Sequence, residues 1–286
     1  MKLKLSVIGC GRLGKTLAAL LVGTELICIQ DILNLSIANT EKAVSFLGQG
    51  RACQSIQQLK SADIYLIATP DDNIELIAQQ IALQGVLKQG DVVFHCSGLL
   101  SSESLYSAVR LGCYVASLHP IFSFSEPMRD VETFRGTYCA FEGNKEALER
   151  LLPLLNAIEG QIFLIEKKDK PLYHAASVFA ANYLVTLSAM AMDCYSKAGL
   201  NDKLAKNLTL ALMSQTLAKV QRLHPKEALT GPLQRADRNT LKKHLSALKA
   251  FPELAHIYKS LGKVTLALTG HDENLKKSLT QVLTDK

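Results

Sequence analysis

Residues 7–21 read VIGCGRLGKTLAALL, an apolar strand-like run broken by three glycines and followed at once by helical spacing. Few stretches constrain a fold more. Gly9 permits a tight turn, Gly11 lets another molecule approach bare backbone, and Gly14 lets the new helix pack closely on the preceding strand. The helix then offers unpaired N–H groups and the positive end of its dipole to whatever sits in the turn. A G-x-G-x-x-G turn in this setting predicts a cradle for the pyrophosphate of a dinucleotide, built from Gly9, Cys10, Gly11, Arg12, Leu13 and Gly14.

The same residues also satisfy G-x-x-x-x-G-K-[ST] through Gly9, Gly14, Lys15 and Thr16, the pattern of nucleoside-triphosphate hydrolases. Three features favour the dinucleotide. Gly11 has a distinct part only in that reading. Asp31 ends the second strand-like run about 20 residues on, where a carboxylate can bind the ribose 2′-hydroxyl of NAD and repel the 2′-phosphate of NADP. A loop or helix-capping Asp is the alternative for that residue. No apolar run closes directly on a magnesium-binding Asp, because IYLIATPDD is interrupted by Thr69 and Pro70.

Strand-like runs at residues 3–9, 25–30, 64–69, 91–96 and 113–118 alternate with helical patterns at 13–22, 37–47, 73–83 and 102–111. Later edge strands are expected at 137–142 and 162–165, with a helix over 145–157 between them. This alternation predicts an α/β fold, an N-terminal Rossmann domain with a doubly wound, mostly parallel sheet, over residues 1–166. After residue 166 strand signals stop. Helical stretches at 171–198, 202–223, 238–248, 252–261 and 273–283 predict an all-helical C-terminal domain over 167–286 that binds substrate and dimerises.

Formal net charge is +6. The positive residues are scattered, so a mildly basic protein that attracts a small anionic ligand is expected, with no nucleic-acid face. None of the seven cysteines forms a C-x-x-C pair, which predicts buried reduced thiols, a cytoplasmic setting and no metal site. The N-terminal apolar run is too short for a signal peptide. Residues 174–192 are apolar but carry His174, Ser177, Asn182, Thr186 and Ser188, and are expected as a helix buried between neighbours and not as a membrane span.

Ligands of open α/β sheets sit beyond the C-terminal strand ends. Thr69 and Pro70 lie there in ATPDD, beside the coenzyme, with Asp71 or Asp72 able to cap the next helix. His95 and Ser97 lie there in HCSG, and His119 in SLHPIFSF. Turn chemistry is the alternative for each. Further on, Lys170 and His174 are four residues apart and share a helix face, and Asn182 lies eight beyond His174. A snorkelling lysine with satisfied core His and Asn is the competing reading. In ALTGPLQRADRNTLKKHL, Arg235 could receive a substrate carboxylate or phosphate, or Asp237 could simply cap a helix beside solvated arginines.

Together GCGRLG, TPDD, HCSG, SLHPIFSF, KPLYHAASVFAANYL and ALTGPLQRADRNTLKKHL resemble the Rossmann-like proteins that carry the C-terminal domain of unknown function 2520. These belong to the broad superfamily of 6-phosphogluconate, prephenate and pyrroline-5-carboxylate reductase-type dehydrogenases. The resemblance implies NAD(P) binding and a helical domain that commonly forms homodimers. Two departures stand out. Members often carry Ser-Arg at the end of strand two, suited to NADP, where this chain reads Gln30-Asp31-Ile32. They usually read RGD where this chain has Arg235-Ala236-Asp237. LHPIF is similar to the His-Pro segment of prephenate dehydrogenases, whose His interacts with the substrate hydroxyl, which implies that part for His119. Lys170-x-x-x-His174 is similar to the Lys-x-x-x-Asn of β-hydroxyacid dehydrogenases, in which the Lys is the acid/base.

The expected function is hydride transfer between NAD or NADP and a small hydroxy, keto or imine substrate bearing an anionic group. His119 or Lys170 would be the general acid/base, His174 and Asn182 would orient substrate, and Ser97 would hydrogen-bond it, in a cleft between the domains. The rivals are a non-catalytic NAD(P) sensor and a nucleotide hydrolase of the Walker type.

Overall fold

A computed structural model describes residues 2–284. The elements run β1 (Leu3–Ile8), α1 (Arg12–Gly23), β2 (Ile27–Leu33), α2 (Ile37–Leu47), β3 (Arg51–Cys53), β4 (Ile64–Ile67), α3 (Asp71–Leu83), β5 (Val92–His95) and α4 (Tyr106–Val109). They continue as β6 (Tyr114–Pro120), α5 (Pro127–Thr133), β7 (Tyr138–Gly143), α6 (Lys145–Ala157), β8 (Gln161–Leu164), α7 (Lys170–Ser177) and α8 (Tyr183–Lys197). The last helices are α9 (Asp202–Val220), α10 (Pro225–Ala228), α11 (Arg238–Leu248), α12 (Pro252–Leu266) and α13 (Glu273–Thr284).

The eight strands form one sheet in the order β3-β2-β1-β4-β5-β6-β7-β8. All pairings are parallel except β6 with β7. β4 and β5 are buried at every position because helices cover both faces of the sheet. One face packs Leu5, Leu17, Leu66 and Phe94 with Leu151 and Leu154 of α6. The other packs Tyr65, Ile67 and Val93 with Ile74, Ala78 and Ile81 of α3. The order reverses between β1 and β4, so the loops after these strands border the crevice where such sheets hold their ligands.

Several expectations shift. β2 continues to Leu33, past the expected end at residue 30, and the short strand β3 pairs with its last three residues. The helix expected at 102–111 is a 3₁₀ turn, Ser102–Leu105, followed by the single-turn α4. Of the two strands expected at an edge, β8 is one, while β7 is paired on both sides. The helical pattern at 171–198 is interrupted by a π-helical turn, Val178–Asn182. Contacts divide the chain into two compact units between Asn182 and Tyr183, and not at residue 166. The reason is α7, which carries Lys170 and His174 onto the strand ends of the first unit.

In the second unit a small core forms from Leu241, Leu266, Leu279, Val282 and Leu283 of α11, α12 and α13. The expectation of a buried apolar helix is not met: no residue of the π-helical turn or of α8 is buried by this chain. The helical run Lys167–Lys197 is long and apolar enough, by length and composition alone, to cross a membrane. α9 leaves Leu208, Leu210, Leu212 and Leu217 exposed as well, since the unit has too few elements to cover both helices.

The Arg235-Ala236-Asp237 turn shows why glycine would suit its centre. Ala236 sits at φ 54°, a left-handed conformation that strains any residue with a Cβ. Ala236→Gly should therefore raise stability by up to about 1 kcal/mol, the relief of strain less the extra freedom of an unfolded glycine. Urea unfolding of the two proteins would measure it, and a loss of stability would contradict the strain.

Candidate coenzyme and active site

The glycine loop is bare where the motif requires it. Gly9 sits at φ 87°, and a Cβ there would lie 2.7 Å from Ala68 C and from Thr69 N. A Cβ on Gly14 would meet the Gly9 carbonyl oxygen at 2.8 Å, so α1 packs directly against the turn. A Cβ on Gly11 would meet nothing within 4 Å, which leaves open space over the backbone where an anion can approach. Gly11 is the N-cap of α1, and no side chain caps the helix. Its first-turn N–H groups are thus left for a ligand. Arg12 is exposed at the helix start and Leu13 half-buried beside it. Cys10 faces the core, where burial pushes its thiol up to about 12 against the pull of Lys15.

Two further contacts weigh against the triphosphate reading. The Thr16 hydroxyl is buried and donates to the Arg12 carbonyl at 2.9 Å, so it does not face the loop as a magnesium ligand would. The Lys15 ammonium lies over the Phe46 ring, 5.8 Å from its centroid.

Asp31 departs from its expected part. It is buried inside β2, not at the strand end. Its carboxylate accepts from Arg51 Nε at 2.9 Å and from the Lys60 N–H at 2.6 Å. Both oxygens are engaged within the chain, and neither is offered to a ribose. The residues that follow β2 are Asn34, Leu35 and Ser36. Asn34 and Leu35 line a cavity of about 420 Å3 together with Gly9, Gly11, Thr69 and Pro70. Inside it the Asn34 side-chain Nδ2 and the Thr69 hydroxyl are buried without a hydrogen-bond partner. Thr69 and Pro70 therefore lie beside the glycine loop as expected.

On adjoining strand ends a second cluster forms around Gly98. A Cβ on Gly98 would lie 2.5 Å from His174 Nδ1 and 2.9 Å from both Cε1 and Nε2 of His119. The two imidazoles thus close on a single backbone turn, their ring centroids 5.7 Å apart. His119 Nδ1 is 2.6 Å from the Tyr173 hydroxyl. His119 is pulled down to about 4, first by burial and then by the nearby His174 and Lys170, so it is neutral at pH 7. Burial holds Tyr173 protonated, raised to about 12. His174 Nδ1 is buried with no partner. Gly98 lies in the HCSG cluster and Tyr173 between Lys170 and His174, but nothing local pairs Tyr173 with a histidine 54 residues away.

Three expected residues turn out to build the scaffold. Lys170 is buried, and its ammonium donates to the Ser97 carbonyl at 3.2 Å and to the Ser117 hydroxyl at 2.8 Å. Burial lowers its pKa, against the opposing pull of Glu142 and Asp71. The Ser97 hydroxyl donates to Asp71 Oδ2 at 2.7 Å and accepts from the Leu99 and Leu100 N–H groups. That fills its one donor and two acceptor sites, in place of the expected hydrogen bond to substrate. His95 accepts from the Ser97 N–H at Nδ1, which leaves Nε2 to donate to the Ser101 carbonyl. Asn182 ends the π-helical turn and is exposed. Asp237 accepts from the Thr240 N–H and hydroxyl as a helix cap, with Arg235 exposed beside it.

The His95 environment has a consequence for stability. Burial lowers its pKa to about 4, below the value of about 6.5 in an unfolded chain. The unfolded state binds the proton more readily, so the contribution is fully present above pH 6.5 and is lost as pH falls toward 4. The loss should be on the order of 3 kcal/mol. Urea unfolding across that interval would measure it, and a flat profile would contradict the buried neutral imidazole.

The sheet order and the glycine-bared loop define a Rossmann-type fold with a helical C-terminal unit. Residues 1–120 match the family model of Rossmann-like domains, and residues 137–265 match that of domain of unknown function 2520. The chain thus joins a Rossmann-like domain to a C-terminal domain of unknown function 2520. No curated protein matches the sequence. Among solved structures, a Bacteroides fragilis protein provisionally described as an NADP oxidoreductase aligns with a TM-score of 0.78 at 21% identity, covering 93% of this chain and 98% of its own. A Thermotoga maritima protein aligns with a TM-score of 0.69 at 24% identity, over 96% and 98% of the two chains. Pyrroline carboxylate reductase of Plasmodium falciparum, solved with NADP bound, aligns with a TM-score of 0.59 at 17% identity, over 99% and 98%. At these identities the likeness is one of fold.

Proposed function

We propose that the chain is an NAD(P)-dependent oxidoreductase acting on a small hydroxy, keto or imine compound that bears an anionic group. One observation carries this reading: a glycine-bared anion cradle and a turn enclosed by two imidazoles lie at neighbouring strand ends of one sheet. β4, β5 and β6 step across the sheet at about 4.8 Å each, so the two places fall within reach of one extended ligand. Asp71 links them, following Pro70 of the cavity and accepting from Ser97 beside Gly98. The NADP of the Plasmodium reductase and the description of the Bacteroides protein point the same way.

The residues present fit a dinucleotide. Side chains on Gly9 and Gly14 would clash with backbone, Gly11 is open, and Asn34 Nδ2 and the Thr69 hydroxyl are buried polar atoms awaiting partners. The glycine loop and the first turn of α1 would hold the pyrophosphate. When bound, the coenzyme supplies or accepts the hydride. This chain handles the proton. With Tyr173 donating to Nδ1, the neutral His119 carries its own proton on Nε2, facing Gly98. From there it hydrogen-bonds the substrate oxygen or nitrogen and passes its proton over as that atom gains charge, while Nδ1 takes the Tyr173 proton and the half-buried Tyr173 regains one from solvent, so that no tyrosinate persists. His174 orients the substrate from the other side. Lys170 is the residue that holds the Ser97–Gly98 turn in place, and its ammonium keeps one donor in reserve. A second copy of the chain would cover the exposed apolar faces of α8 and α9, and the reduced thiols suit the cytoplasm.

The test is coenzyme oxidation and reduction against hydroxy acids, keto acids and cyclic imines. Turnover should appear with one class and fall by about 100-fold or more in His119→Ala. Tight coenzyme binding with no turnover across the panel would instead favour a sensor.

A further inference from the structure

The end of β2 sets which coenzyme a Rossmann sheet takes, because the adenosine ribose lies there. In this chain the expected arbiter, Asp31, is buried and tied to Arg51 and the Lys60 N–H. The same pairing removes Arg51: its Nε and Nη2 are turned onto Asp31, and Nη2 also donates to the Gln58 carbonyl. What borders the cavity beyond β2 is neutral: Asn34, Leu35, Asn39, Gln54 and Ser55. Leu35 is fully exposed at the cavity rim. The nearest helix start, that of α2, is capped by its own Ser36, which accepts from the Asn39 N–H.

We propose, on the coenzyme reading above, that this neutral rim selects NAD(H) over NADP(H), with Leu35 as the specificity-determining position. A 2′-phosphate carries close to two negative charges and needs a fixed cation or several donors. The lining of this cavity holds no charged side chain to neutralise it, and Leu35 stands where a cation would have to be. A ribose diol needs only neutral partners. The buried Nδ2 of Asn34 has no partner within the chain and can donate to a ribose oxygen, and its Oδ1 can accept from a ribose hydroxyl.

The test is fluorescence titration of the full chain with NADH and with NADPH, repeated on Leu35→Arg. NADH should bind at least about tenfold more tightly to the natural chain. Leu35→Arg should move the ratio of the two affinities toward NADPH by about tenfold or more, an effect that high salt diminishes. Because Leu35 is fully exposed, the substitution leaves the core intact. Tighter NADPH binding by the natural chain, or a ratio unmoved by Leu35→Arg while both coenzymes bind, overturns the proposal and leaves the oxidoreductase reading standing. Failure of both coenzymes to bind the natural chain overturns the two together.

Discussion

Gly98→Ala should lower turnover by about 100-fold or more while the fold survives. Gly98 has no left-handed backbone, so the substitution adds only a methyl group. That methyl would stand 2.5 Å from His174 Nδ1 and 2.9 Å from the His119 ring, closer than any stable contact. The neighbours that must give way are two side chains and not backbone, so the stability loss should stay within the range of about 1–3 kcal/mol seen for overpacked sites. Displacing a reacting group by about 1 Å is enough for a loss of about 100-fold in rate. Coenzyme affinity, set at the ends of β1 and β2, should change far less. Steady-state kinetics beside coenzyme titration separates the two effects. Unchanged turnover would mean that the paired imidazoles take no part in the chemistry.

Gly9→Ala should do the opposite, damaging fold and coenzyme binding together. Here φ is 87°, and the added methyl would lie 2.7–2.8 Å from the backbone atoms of Ala68 and Thr69, which have no rotamer to escape into. Left-handed strain of about 1–2 kcal/mol and overpacking of about 1–3 kcal/mol add to roughly 2–5 kcal/mol. Gly11→Ala is the control. Its methyl meets nothing within 4 Å, so stability should move by less than about 0.5 kcal/mol. It would occupy the space an approaching pyrophosphate needs, so dinucleotide affinity should still collapse. Urea unfolding and coenzyme titration of both variants would show whether the two glycines divide in this way.

The features legible in the sequence are those set by near neighbours. The left-handed turn at Gly9, the helix start at Gly11 and the contact of Gly14 with the Gly9 carbonyl all fall within six residues, and the alternation of strands and helices is itself a local pattern. The end of β2 was not legible. A charged Asp31 after an apolar run reads as a strand terminus, yet β2 continues because Arg51 on β3 and the Lys60 N–H neutralise that carboxylate. β3 has only three residues, too few for a periodic signal. The same limit hid the Gly98 cluster. SLHPIF marks His119, but the partners that define its chemistry, Tyr173 and Gly98, come from α7 and from the turn after β5. Lys170 reads as a polar residue on an otherwise apolar helix and Ser97 as part of a polar cluster at a strand end. Their satisfied hydrogen bonds, visible only in three dimensions, identify them as supports of the turn. The apolar stretch at 174–192 was legible as a helix but not as an exposed one, because exposure depends on how many other elements the unit provides to cover it.

Calorimetric titration with NADH and, separately, with magnesium ATP tests most directly whether the glycine loop holds a dinucleotide. The expected result is saturable binding of one NADH per chain, abolished by Gly11→Ala, with no heat from magnesium ATP. Saturable binding of magnesium ATP, with neither NADH nor NADPH taken up, is the contradicting result.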